Sequence, residues 1–222
     1  MIKADTEEAA TIARATLVAM LDVTPTKGRP GADLRTAIGD FNVHALEIIQ
    51  YDRSGPPLAA IFELARKGGA SLPNLAHVRA VAADPAPQTL GAMLMKNSLI
   101  NFALATEARI LADTTFTSRN AVEVMREQMN EAFGAMQDSA ADDMDTMTYR
   151  ALITLHAAVT DHLVTTQRPL PVMLNFQFAA PGPLLVFAYR LYDDASRAEE
   201  LREENKVVHP LFARPFGRAL SA

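Results

Sequence analysis

The side chains best suited to bind a metal or move a proton are five histidines: His44, His77, His156, His162 and His209. Two histidines on a helix share a metal when they are three or four residues apart, because that spacing puts both rings on one face. His156 and His162 are six apart, so on a helix they would point about 120° away from each other. No HExxH motif occurs. We therefore predict no metal site and interpret the histidines as surface or half-buried side chains.

Carboxylates are concentrated in two places, and both patterns favour structural roles. Three aspartates in residues 142–145 precede a predicted helix, whose dipole stabilises negative charge there. They lack the alternating ligands, central glycine and closing glutamate of a calcium loop. Four glutamates in residues 199–204 lie at helical spacing from Arg197 and Arg202. That arrangement is typical of ion pairs on a solvated helix face.

Motifs for group transfer are also missing from the sequence. Gly68-Gly69 is not followed by the Gly-Lys-Ser/Thr of a phosphate-binding loop, and neither GxSxG nor SxxK occurs. The ten methionines stand at core spacings, where they serve first as flexible packing units. We predict that the protein is not an enzyme and has no catalytic, cofactor-binding or metal-binding residues.

Composition limits which classes of protein remain possible. The 222 residues are 49% hydrophobic and 21% charged, with a net charge of -5 and no cysteine. Such a chain can bury a full core, which excludes a disordered protein. The negative charge argues against gripping nucleic acid, whose affinity comes from neutralised phosphates. The start, MIKADTEEAA, lacks an apolar signal core, and no run reaches the roughly 18 apolar residues of a membrane span. We expect a soluble protein that is made without export.

Apolar periodicity predicts the elements that position these residues, and nearly all are helices. A continuously apolar segment, 89–114, predicts a central helix. Long helices joined by short connections favour an antiparallel bundle. We expect Pro25–Gly31 to break the chain and Gly55-Pro56-Pro57 to end a helix. The predicted helices are 5–22, 32–51, one ending at 67, one starting after 71, then 89–114, 118–140, 146–167, 184–192 and 195–204.

The pattern changes at Pro169-Leu170-Pro171. Residues 172–178 alternate between apolar and polar, which predicts a strand. After the last two short helices we expect an irregular tail, 211–222. The fold class we predict is mainly α, with a helical bundle domain in residues 1–168 and a small α+β module in residues 169–222.

The carboxyl-terminal part resembles a known family. The matching residues are Leu170-Pro171, then Pro183-Leu184-Leu185-Val186-Phe187-Ala188-Tyr189-Arg190-Leu191-Tyr192-Asp193-Asp194, then Arg197-Ala198-Glu199-Glu200-Leu201, Asn205 and His209-Pro210. Together they resemble the end of the prophage DNA circularisation proteins of Mu-like tailed phages, with Phe212 just after the position of that family's closing aromatic residue. The region from Asn101 to Asp113 and Tyr149-Arg150-Ala151-Leu152 are similar to that family more loosely. Family members usually carry a further amino-terminal domain, which we find no counterpart of here. The closing segment is also similar to a LysM module, which implies the order strand, helix, helix, asparagine and a weak last strand.

The resemblance implies a structural subunit of a contractile phage tail at the hub and tube end of the baseplate. It would lie in the virion, and in the host cytoplasm during assembly. Implied partners are hub, tube and tape-measure proteins and further copies of the chain in a ring, without membrane or nucleic acid. Peptidoglycan binding by the LysM-like module and DNA binding are the alternatives. The residues we expect to make contacts are Tyr189, Arg190, Tyr192, Asn205, His209, Phe212 and Phe216.

Overall fold

The computed structural model describes residues 3–25 and 27–221, and 72% of the chain is helical. The described residues form nine α-helices, a short 3₁₀ helix and a two-stranded antiparallel sheet, so the predicted mainly helical class is confirmed. No helix in these ranges is long and apolar enough to cross a bilayer. The elements are α1 (Lys3–Val23), α2 (Gly28–Gln50), α3 (Gly55–Lys67), α4 (Leu72–Ala83), α5 (Leu90–Ala112), α6 (Arg119–Asp142), α7 (Thr146–Gln167), β1 (Met173–Gln177), α8 (Leu184–Tyr192), the 3₁₀ helix Ala195–Arg197, α9 (Ala198–Glu204) and β2 (Phe216–Leu220).

Prolines account for the places where predicted and observed helix ends differ. We expected residues 25–31 to be a break, but α2 begins at Gly28 and contains Pro30 in its first turn. Helix α3 likewise begins at Gly55, with prolines in its first turn. A first-turn residue has no intrahelical acceptor for its amide, so proline costs nothing there. These prolines lie in the first turns of helices, so the break expected at residues 25–31 ends earlier than predicted, whereas α2 ends before Gly55 as expected.

The chain divides into two compact units, and the first contains residues up to Thr114 together with Met129–Val159. Within it α5 packs against α1, α3 and α4, as expected for a central helix. The Thr89 side chain caps α5 by accepting a hydrogen bond from the amide of Ala92 at 3.3 Å. Its hydroxyl also donates to Glu8 Oε2 on α1 at 2.6 Å, which lowers the pKa of that carboxyl. One residue therefore both starts the central helix and fixes α1 against it.

A buried ion pair between α4 and α5 was not predicted. Glu107 is fully buried, and its Oε1 accepts a hydrogen bond from Arg79 Nε at 3.0 Å. Its Oε2 is buried and has no hydrogen-bond partner among the described residues. Burial raises the pKa of Glu107, and the adjacent guanidinium of Arg79 opposes that rise. A pair of this kind contributes little net stability but penalises helix arrangements that would leave one charge alone.

The second unit contains Thr115–Gln128 and the residues from Thr160 onward. In it β1 pairs with β2, and α8, the 3₁₀ helix and α9 lie between them in sequence. The register places Asn175 opposite Arg218. The strand expected at 172–178 is confirmed as β1, but the tail is less irregular than predicted because it contains β2. The inward positions of β2 are Gly217 and Ala219, which are too small to produce a visible apolar alternation.

A small apolar core holds the second unit together. The rings of Phe178 and Phe187 stack at 4.4 Å between centroids, and Phe176 meets Phe187 edge-on at 6.1 Å. Each large apolar side chain buried in this way contributes about 1.5–3 kcal/mol. The fully buried members are Leu184, Phe187, Ala188, Leu201, Ala213 and Ala219. The predicted boundary between residues 168 and 169 stays a prediction.

The start of α6 belongs to this unit and anchors β1. The Ser118 side chain caps α6 at the amide of Ala121, as its position before the helix predicted. The amide of Arg119 donates to the carbonyl of Pro171 at 2.9 Å, and its guanidinium donates to the carbonyl of Leu170 at 2.6 Å. The side chain of Asn120 accepts from the amide of Met173 at 2.9 Å. Strand β1 is therefore held from both of its sides.

Candidate interaction surface

A concavity of about 570 Å³ lies in the second unit, beside the segment that joins α9 to β2. We call it the basic concavity because its charged lining residues are cationic. It brings together four of the seven residues predicted to make contacts: Asn205, His209, Phe212 and Phe216. The remaining lining residues are Phe176, Leu184, Lys206, Val207, Val208, Ala213, Arg214 and Gly217.

Asn205 builds the wall of the concavity. Its Nδ2 donates to the carbonyl of Leu201 at 2.9 Å and to the carbonyl of Arg218 at 2.8 Å. The amide of Arg218 donates back to Asn205 Oδ1 at 2.7 Å. The carboxamide thus pairs with Arg218 in the way a neighbouring strand would. Its hydrogen-bonding groups are used inside the protein, so Asn205 positions the surface and has little left for a partner.

Apolar side chains form the rim of the basic concavity. Phe212 is 76% exposed, Phe216 59% and Val208 95%. Leu211 beside them is also exposed. The ring of His209 lies 5.3 Å from that of Phe212, between centroids, and the amide of Phe212 donates to the carbonyl of His209. Contiguous exposed apolar side chains of this kind mark interaction sites more often than chance exposure does.

The charges of the concavity are positive and unpaired. Lys206 and Arg214 line it, and neither forms an ion pair with the described residues. Three other arginines of the unit do form ion pairs: Arg197 with Glu200, Arg202 with Glu199, and Arg218 with Glu204 at 2.9 Å. Unpaired cations beside exposed rings can attract a carboxylate and hold an apolar side chain at the same place.

The other three predicted contact residues lie on α8, outside the lining of the concavity. Tyr189 is exposed. The guanidinium of Arg190 lies 5.9 Å from the centre of the Phe178 ring. Tyr192 is covered by the guanidinium of Arg197 at 3.7 Å, and its pKa is raised by burial and by Glu200. Tyr192 is therefore part of the internal packing, while Tyr189 remains free for a partner.

Sequence reasoning missed Lys206 as a member of this surface. The only signal was its place directly after α9, and a lone lysine there is usual at a helix end. The interleaving of Arg214 with Phe212 and Phe216 was visible in the sequence, and the structure brings all three to the concavity.

Three members of the carboxylate clusters, Asp145, Glu199 and Glu200, have structural roles of the kind predicted for them. Asp145 Oδ1 accepts from the amide of Thr148 at 3.1 Å and so caps α7. That bond lowers the pKa of Asp145. Glu200 pairs with Arg197 at 2.8 Å, and Glu199 pairs with Arg202 at 2.5 Å.

The histidines lie apart from one another. His156 stacks on Phe133 with 5.0 Å between ring centroids, and its Nε2 lies 2.8 Å from Asn130 Oδ1. His44 is bonded through Nδ1 to the carbonyl of Asp40. Residues 3–25 and 27–221 contain no group of three metal-ligating side chains close enough to hold an ion.

A comparison of the chain with protein-family models finds no model that matches, and a comparison with curated proteins finds no relative. The site must therefore be interpreted from its own chemistry and from the sequence resemblance.

Proposed function

We propose that the chain is a structural subunit of a contractile phage tail, located at the hub and tube end of the baseplate, and that it acts through protein–protein contacts. Its partners would be hub, tube and tape-measure proteins and further copies of itself. The tail context rests on the sequence resemblance over the segment from Leu170 to Phe212. In this proposal residues 1–168 form an antiparallel bundle and residues 169–222 a LysM-like module.

The observation that carries the proposal is the exposed rim of the basic concavity. Phe212, Phe216 and Val208 present apolar area around unpaired cations. Aromatic side chains beside arginine are enriched at protein interfaces, because they bury large area with few rotamers to immobilise. The order strand, helix, helix, strand with antiparallel pairing supports the LysM-like part of the proposal.

The test substitutes the rim in the full chain and measures entry into particles. We expect Phe212→Ser with Phe216→Ser to leave the circular dichroism unchanged, because both side chains are largely exposed, and to remove the chain from purified tails. Val43→Ser with Leu90→Ser removes two exposed apolar side chains elsewhere and serves as the matched control. Electron microscopy of labelled particles locates the wild-type chain. Wild-type incorporation of the rim variant, or label away from the baseplate, would refute the proposal.

Glycan binding is the second candidate, and the lining of the concavity favours it. Sugar rings stack on aromatic faces and accept hydrogen bonds, and the lining offers Phe176, Phe212 and Phe216 beside Lys206 and Arg214. If this candidate is correct, the chain will cosediment with purified peptidoglycan sacculi, and Phe212→Ser will release it. Absence of wild-type cosedimentation removes this candidate and leaves the assembly proposal intact.

A further inference from the structure

Two residues adopt a backbone conformation that their side chains disfavour. The described non-glycine residues with positive φ are Asp52, Met144, Asp193 and Lys206. Aspartate tolerates this region because its short side chain can bond locally, whereas methionine and lysine have no such compensation.

Both Met144 and Lys206 follow the end of a helix, where glycine would be favoured. After α6 the amide of Asp145 donates to the carbonyl of Ala140 at 2.9 Å. After α9 the amide of Val207 donates to the carbonyl of Arg202 at 2.9 Å. The two turns have the same capping geometry, and each presents a long side chain to solvent. Strain retained at an exposed position points to a role for the side chain beyond folding.

The turn at Met144 carries both acidic side chains and exposed apolar side chains. We call residues 142–147 the acidic turn, and they include Asp142, Asp143 and Asp145. None of these carboxylates forms an ion pair with the described residues, although Asp143 accepts a hydrogen bond from Asn97 at 3.1 Å. Met144 is 88% exposed and Met147 85%. The turn therefore offers unpaired negative charge and two flexible thioethers.

The turn at Lys206 lies in the basic concavity, whose chemistry is the complement of the acidic turn. Lys206 and Arg214 are cations that form no ion pair within the described part of the chain, and they stand beside the exposed rings of Phe212 and Phe216. Carboxylates pair with the cations, and methionine sulfur packs favourably against aromatic rings.

We propose that the acidic turn of one copy of this chain seats in the basic concavity of a second copy. Asp142 and Asp143 face Lys206 and Arg214, and Met144 lies against the rings at the rim. This inference rests on the proposed function, because it identifies one of the protein contacts through which the subunit assembles. The two surfaces differ, so the contact is head-to-tail. In a pair formed this way, one copy still has a free concavity and the other a free acidic turn, and the contact therefore propagates into a ring or a filament.

A charge swap tests the proposal. Lys206→Glu with Arg214→Glu reverses the concavity, and Asp142→Lys with Asp143→Lys reverses the turn. Asp145 stays unchanged because it caps α7. We expect each variant alone to lose at least about tenfold in self-association constant, measured by sedimentation velocity at low salt. Mixing the two variants restores association, because each then meets a surface of opposite sign.

The matched control reverses Lys3 and Arg29, which are highly exposed and are not among the residues of the acidic turn or the lining of the concavity. Lys3→Glu with Arg29→Glu changes the net charge as much as the concavity variant does and should associate like the wild type. Wild-type chains that sediment singly at every concentration, reversed variants that associate normally, or a mixture that stays unassociated would each overturn the proposal. The assembly proposal would survive those results, because entry into particles is measured separately.

The variant Met144→Gly distinguishes an effect on self-association from an effect on folding stability. Glycine relieves the positive φ, so the melting temperature should rise or stay the same. The self-association constant should fall by about twofold to tenfold through loss of the sulfur–ring contact. An unchanged association constant would remove Met144 from the interface and contradict the proposed seating.

Discussion

The carboxamide of Asn205 should stabilise the second unit through its internal hydrogen bonds. The loss of stability that follows its removal can be worked out from these bonds. Asn205→Ala deletes three hydrogen bonds, to the carbonyls of Leu201 and Arg218 and from the amide of Arg218. A hydrogen bond contributes about 0.5–1.5 kcal/mol net, and Asn205 is half-buried, so we expect the free energy of unfolding of this unit to fall by about 2 kcal/mol.

A substitution at Gly217, which lies against Asn205, tests the same contact from the other side. A Cβ at this position would overlap Asn205 Oδ1 and lie 2.9 Å from Phe176 Cζ. Gly217→Ala should therefore cost about 1–3 kcal/mol through overpacking. With Asn205→Ala in the same chain, the overlap with the carboxamide disappears and only the contact with the Phe176 ring remains. The double variant should be more stable than the sum of the single losses predicts, by about 1 kcal/mol.

Native-state hydrogen exchange followed by nuclear magnetic resonance measures these energies residue by residue. The amide of Arg218 reports directly, because its only described partner is Asn205. Asn130→Ala, which removes a partner of His156 in the first unit, is the control and should leave β2 protection unchanged. The stabilising role of Asn205 would be refuted if Asn205→Ala lowered the free energy of unfolding by less than about 0.5 kcal/mol. It would also be refuted if the two single losses added strictly in the double variant.

Two pH predictions concern the first unit, and they have opposite signs. Because burial raises the pKa of Glu107 above its ordinary 4.5, the folded state binds this proton more tightly than the unfolded chain. The contribution of Glu107 to the free energy of unfolding is therefore full below pH 4.5 and is lost as pH rises through the folded pKa. Glu107→Gln should remove this fall in stability. Glu63 has its pKa lowered to about 2 by the hydrogen bond from Arg66 and by the charges of Arg66, Lys67 and Arg109, against desolvation. The contribution of Glu63 to the free energy of unfolding is present above pH 4.5 and is lost as pH falls from 4.5 to about 2. Glu63→Gln should abolish this loss of stability in acid. Urea unfolding across this pH range measures both, and parallel curves for wild type and variant would contradict either prediction.

The helices were predictable because their packing repeats along the sequence. Helix α5 is apolar around most of its circumference, and only a central helix tolerates that pattern. Strand β2 was less visible because Gly217 and Ala219 carry too little apolar area to reveal which face is buried. What selects its position is the carboxamide of Asn205, a long-range contact that leaves no periodic trace.

The candidate site was predictable only in part, for a related reason. The seven predicted contact residues lie in one segment of the chain, 189–216, but the structure uses Tyr192 in packing and Asn205 in main-chain hydrogen bonds. The buried pair of Glu107 and Arg79 is separated by 28 positions, and nothing local indicates that two charges meet in a core. Pairings between distant helices depend on the tertiary arrangement, which spacing within a helix does not encode.

The carboxamide of Asn205 also limits what the small sheet can do in a crowded cell. A two-stranded sheet has open edges, and an open edge recruits strands from other molecules. At Arg218 the edge of β2 is already occupied by a side chain that cannot extend the ladder. Newly made chains can therefore accumulate at high concentration without pairing edge to edge at this position. Recognition through this surface must then come from side chains, which discriminate between partners, whereas backbone hydrogen bonds would accept almost any extended segment.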